Sequence, residues 1–197
     1  MTRKKHYKTV FIKSTFLTAT LFSAMACQEN KKPEDSKVIA DNQNEYNFTT
    51  NSKEDDAQFL VNAAALNLNT IDLAQLAQQK STNDDLKSFA MMLDKDHQAA
   101  MKEIINLANT KSVVIPKSAT SDGRAEYKDL TNLSNADFDK AYTNLMVKAH
   151  QDAITLFDKA STESKDGAIK ALAITTLPML QQHLDIAITF QEKYNKK

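Results

Sequence analysis

Along four successive stretches of this chain, apolar residues recur at every third or fourth position for about 25 residues each, the period of an α-helix with one buried face. The first stretch, 55–80, places Phe59, Leu60, Ala63, Leu66, Leu73 and Ala77 on that face, with Asp55 and Asp56 at its positive N-terminal end. A break at Ser81-Thr82-Asn83-Asp84 leads into the second, with Leu86, Phe89, Leu93, His97, Met101 and Ile104. The third opens on Ser134-Asn135-Ala136-Asp137, an N-cap with an acid three residues on, and runs through Phe138, Tyr142, Met146, His150 and Phe157. After Ser164-Lys165-Asp166-Gly167 the fourth carries Ile169, Ala173, Leu180, His183, Leu184 and Ala187, and includes Pro178, which frees the carbonyl of Ile174 and kinks the axis. A polar connection over 111–133, with Pro116, Gly123 and a short helical turn at EYKDLTNL, separates the second stretch from the third. No β-rich run competes, and 2 Gly and 3 Pro are too few turn-formers for a barrel or sandwich. The pattern predicts an all-α four-helix bundle over 55–197, roughly 35 Å long at 1.5 Å rise per residue.

The N-terminus reads as an address. Arg3, Lys4, Lys5, Lys8 and Lys13 precede a short apolar run, Thr15 to Ala26, too short for a span of about 20 residues. The run ends at Ala24-Met25-Ala26 before Cys27, the sole cysteine, which has no partner for an internal disulfide. The segment resembles a bacterial lipoprotein signal with its lipobox cysteine. That resemblance implies cleavage of 1–26, lipid on Cys27, and a protein of the bacterial cell envelope, anchored at the outer membrane and facing the periplasm. Ordinary signal cleavage near Ala26 is the alternative. Loss of 1–26 leaves 20 basic against 25 acidic residues, net −5, the wrong sign for a nucleic-acid partner. The polar segment 28–54 lacks helical periodicity and is expected to be a disordered tether.

Outside the signal there are three histidines, one near the middle of each of the second, third and fourth helices. His150 and His183 are equally far from a reversal at Asp166-Gly167, and Asn67 on the first helix is as far before a reversal near Thr82 as His97 is after it. All four therefore stand at one height of the bundle. His97 is central in its stripe, whereas His150 and His183 lie toward stripe edges. Buried imidazoles need hydrogen bonds or a metal. Asn67, Thr70, Asp94, Asp96, Met101 and Met146 are the candidates to surround them, with Asp96 turned about 100° from His97 as a flanking group rather than a ligand.

Two readings follow. In the plainer one the histidines form a polar layer, bonded to one another, to Asn67, Thr70, Tyr142 or water, and specify helix pairing. In the other they hold a transition metal, for which neutral imidazole suits Zn, Cu, Ni and Fe. Met101, Met146 and Met179 each stand one turn from a histidine; thioether with imidazole suits Cu(I), although Met is also ordinary core filler. Antiparallel second and third helices would put Met101 and Met146 on one side of the layer, and parallel ones would separate them. A di-iron carboxylate centre lacks its Glu-x-x-His pairs, since only Asp94-Lys95-Asp96-His97 has an acid three residues before a histidine. No nucleophile triad, phosphate loop or dinucleotide fingerprint appears.

The segments FLVNAAALNLNTIDLAQLAQQK, FAMMLDKDH, FDKAYTNLMVKAH and LPMLQQHL resemble a bacterial envelope family known as domain of unknown function 4142. The chain departs from the family pattern at Thr70, where a Glu is usual, and at Leu93, where a Met is usual. The resemblance implies a ferritin-like four-helix bundle and an envelope location, and no reaction. The first functional reading is thus a lipid-anchored interaction module with a central histidine layer and an envelope protein partner. A bundle binding a metal or small ligand through His97, His150 and His183 is the alternative. The missing Glu-x-x-His pairs argue against an enzyme of the ferritin-like oxidase type.

Overall fold

A computed structural model of the chain describes residues 34–48 and 51–196; the expected signal at 1–26 and the lipidation at Cys27 lie outside the described residues. The helices are α1 (Ser36–Asn47), α2 (Asn51–Lys80), α3 (Asp84–Lys111), α4 (Ser121–Thr131), α5 (Asn135–Glu163) and α6 (Gly167–Asn195), with no strand among the described residues.

Polar side chains set the reversals. Asn83 Oδ1 accepts the Leu86 N–H at 2.9 Å and Asp166 Oδ1 accepts the Ala168 N–H at 2.9 Å, capping α3 and α6 after short turns. Ser134 caps α5, its hydroxyl accepting from the Asp137 N–H and donating to the Asp137 carboxylate. At the end of α3, Ser112 turns left-handed (φ 57°) and the Val113 N–H returns to the Ala108 carbonyl at 2.9 Å.

The short turns make α2/α3 and α5/α6 antiparallel pairs. Phe59 near the start of α2 meets Phe157 near the end of α5, ring centroids 5.1 Å apart, so these two also run oppositely. α2 packs on α3 and α5, and α6 on α5 and α3. Consequently α3 and α5 are parallel across one diagonal, and the connection containing α4 is the single long crossover of ferritin-like bundles. α4 starts earlier than the helical turn expected at EYKDLTNL, because Thr120 caps it and Asn69 of α2 holds Thr120 through its amide, with Oδ1 accepting the Thr120 N–H at 3.0 Å. A methyl group at Gly123 would overlap that Asn69 amide and displace it from Thr120, so glycine lets this contact between α4 and α2 form.

The segment 28–54, expected as a disordered tether, instead contains α1 and the first residues of α2, which begins at Asn51. Apolar periodicity misses α1 because its buried residues are Ala40 and Asn44 alone. Polar contacts hold it. Asn44 Nδ2 donates to the Val114 carbonyl at 2.7 Å and Asn44 Oδ1 accepts the Val114 N–H at 2.8 Å, while the Lys117 N–H donates to Ser36 Oγ at 2.8 Å. Asn44→Ala leaves both Val114 groups without their partner, a loss of about 1–3 kcal/mol. We expect limited proteolysis to cut within 36–47 in that variant and to spare it in the parent; equal protection of both would show that Asn44 is not what holds α1.

The core divides into two apolar halves. One gathers Phe59, Leu60, Ile104, Phe157, Ile169 and Leu180, and the other Leu73, Leu86, Leu93, Phe138, Tyr142 and Met146. Between them lies a polar belt of His97, His150, His183, Asn67 and Thr70, all buried.

Candidate metal centre

Each histidine comes from a different long helix. On every helix its neighbours one turn to either side belong to opposite apolar halves: Leu93 and Met101 about His97, Met146 and Ala153 about His150, Leu180 and Ala187 about His183. His97, His150 and His183 are 3%, 1% and 0% exposed, so the stripe-edge placement expected for His150 and His183 is corrected. Those two positions are covered because α5 and α6 each face two neighbours of the square. The ring centroids form a triangle with sides of 5.4 Å. One ring nitrogen from each residue lies within 4.8 Å of the others.

The partners of each ring settle where its proton sits. Asn67 Nδ2 donates to the Ala63 carbonyl at 2.7 Å, which turns Asn67 Oδ1 toward His97 Nδ1 at 2.9 Å. That oxygen can only accept, so His97 carries its proton on Nδ1. His150 Nδ1 stands 2.8 Å from the Met146 carbonyl, again an acceptor. His183 Nε2 stands 3.1 Å from Asp96 Oδ2 and donates to it, leaving His183 Nδ1 buried with no partner among the described residues. Three N–H groups thus point outward to fixed acceptors. His97 Nε2 and His150 Nε2, 3.3 Å apart, then face each other with unshared pairs and no proton between them. Two nitrogens bound to one tetrahedral ion at about 2.0–2.1 Å stand about 3.3 Å apart, so the spacing fits a shared cation.

The electrostatics agree. Burial, then the His150 and His183 charges, holds His97 well below the usual imidazole value. Burial takes His150 down to about 4, against the opposing pull of the Met146 carbonyl. His183 is lowered by burial and partly restored by Asp96. At neutral pH all three rings are uncharged, each with one ring nitrogen free.

The other expected neighbours sort out as follows. Asn67 and Asp96 touch the histidines, as the fold-back and the flanking position predict. Thr70 does not, because its hydroxyl donates to the Leu66 carbonyl of its own helix at 2.9 Å. Asp94 accepts from Gln75, Gln78 and Gln98 on the surface and belongs to the α2/α3 seam. Tyr142 is stacked on Phe138 in one apolar half, with no hydrogen-bond partner for its hydroxyl among the described residues. Met101 and Met146 fall in opposite halves, as parallel α3 and α5 require. The Met146 backbone carbonyl is the group sequence reasoning overlooked; its signal was the four-residue spacing to His150. Asp96 also lines a groove between α3 and α6 with Glu103, Thr176 and Met179.

Among solved structures, the fold is similar to one described as "CopM in the Cu(II)-bound form", with a TM-score of 0.62 and 19% sequence identity over 71% of this chain and 97% of that one. No curated protein matches the sequence. The family model described as "Domain of unknown function (DUF4142)" matches residues 42–189, which span α2 to α6 almost entirely, and the chain therefore belongs to that family.

Proposed function

We propose that His97, His150 and His183 form a transition-metal site and that the chain is a metal-binding bundle carried on a lipid anchor in the bacterial envelope. The observation that carries this reading is the direction of the three N–H groups. A polar layer, bonded ring to ring or to Asn67, would leave no inner nitrogen without a donor, and here all three N–H groups are spent outward on Asn67, Met146 and Asp96. The inner nitrogens lack any donor, and a cation answers them. His97 and His150 would bind through Nε2 and His183 through Nδ1, with Asn67 and Asp96 fixing two of the ring orientations. The metal, when bound, supplies a Lewis-acidic centre that ties three helices together. The likeness to a copper-loaded bundle supports copper among the metals that imidazole suits.

The test is a titration of metal-free mature protein against competing chelators. One ion per chain is expected for the parent, and none for a variant with all three histidines replaced by leucine. Binding that the triple variant retains would overturn the site.

The location rests on the basic segment, the short apolar run and the lone Cys27. Cys27→Ser is expected to shift the protein from the detergent phase to the aqueous phase. Unchanged partitioning would exclude the anchor.

A further inference from the structure

We infer that the histidine layer selects a singly charged soft cation, Cu(I), over the divalent ions Zn(II), Ni(II) and Cu(II). The inference rests on the metal reading above and adds the charge and coordination number of the ion.

Charge balance favours a monovalent ion. The three ligands are neutral imidazoles, and Asp96 is the only carboxylate hydrogen-bonded to any of the rings among the described residues. One anion beside a monovalent ion leaves the layer neutral. A divalent ion leaves an unbalanced positive charge between two apolar halves, where a buried charge without a partner is strongly disfavoured.

The number of donors favours the same ion. Three of the four long helices each supply one donor. At the same height, α2 presents Asn67 and Thr70. Both polar atoms of the Asn67 amide are engaged, with His97 and with the Ala63 carbonyl, and the Thr70 hydroxyl is donated to the Leu66 carbonyl. The rings are 0–3% exposed, so bulk water does not complete a shell. Zn(II) takes four ligands in structural sites, and Cu(II) and Ni(II) favour tetragonal sets. A closed-shell monovalent ion is satisfied by three nitrogens. Met101 and Met146 in the two flanking halves add polarisable sulfur to the surroundings and no charge.

The experiment uses the full-length protein and compares chelator-competed affinities for Cu(I), handled without oxygen, and for Ag(I) as its redox-inert analogue, with those for Zn(II), Ni(II) and Cu(II). One equivalent of Cu(I) or Ag(I) is expected, with the divalent ions held roughly a hundredfold or more weakly. Asp96→Asn, which keeps a hydrogen-bond acceptor and removes the charge, should weaken Ag(I) binding. Divalent ions held as tightly as Ag(I), or an Asp96→Asn variant with parental Ag(I) affinity, would overturn the inference and leave the metal site standing. Failure of every ion to bind would overturn both.

Discussion

His97→Ala is expected to abolish metal-dependent stabilisation of the bundle. His97 is the hub of the layer: its Nδ1 holds Asn67 on α2 and its Nε2 faces His150 across the bundle diagonal. In metal-free protein, truncation leaves a cavity and strips Asn67 Oδ1 of its donor, costing about 2–4 kcal/mol. In the presence of metal at ~100 times its dissociation constant the parent gains about 3 kcal/mol more, and the variant gains nothing. His150→Ala should do the same, and the double variant should cost less than the sum of the singles, because either change alone dismantles one shared site. Urea denaturation with and without metal measures all four corners. Additive costs, or a metal-induced shift that survives His97→Ala, would show that the two histidines do not act together.

The metal-free protein should lose stability steeply as pH falls from about 6.5 toward 4. All three imidazoles are held below the ordinary imidazole value in the folded state, chiefly by burial, His150 at about 4. Between those pH values the unfolded chain binds protons that the folded chain refuses, so protonation favours unfolding and stability rises with pH through this window. His150 alone accounts for about 3 kcal/mol across it, a large share of the 5–15 kcal/mol typical of a domain. His150→Leu should flatten the dependence. Unfolding midpoints measured in chelator at pH 7.5 and pH 5 check this, and equal midpoints for the parent would contradict three neutral buried imidazoles.

The common height of the three histidines was legible in the sequence because each lies near the middle of its helix, and Asn67 was legible by the same fold-back. The helix stripes, the Ser134 cap and the reversals at 81–84 and 164–167 were readable for the same reason: period and turn chemistry are local. α1 was not, since Asn44 and Ser36 bind backbone groups some seventy to eighty residues away and bury almost no apolar surface. The parallel course of α3 and α5 depends on where the crossover lands, which spacing along one chain does not state. Thr70 looked like a partner for the layer by height, yet a hydroxyl four residues past a carbonyl satisfies itself within its own helix. Least legible was the orientation of each imidazole. Position tells that a ring is buried; only its outward partners tell which nitrogen faces in, and that is what separates a polar layer from a metal site.

The free electron pairs of His97 Nε2, His150 Nε2 and His183 Nδ1 are turned inward. Nitrogen-15 NMR of the histidine side chains in metal-free protein at neutral pH measures this directly. Protons are expected on His97 Nδ1, His150 Nδ1 and His183 Nε2, with the other three nitrogens unprotonated and all three shifting together when one equivalent of Ag(I) is added. A proton on His97 Nε2 or His150 Nε2, shared between the two rings and unmoved by metal, would contradict that arrangement.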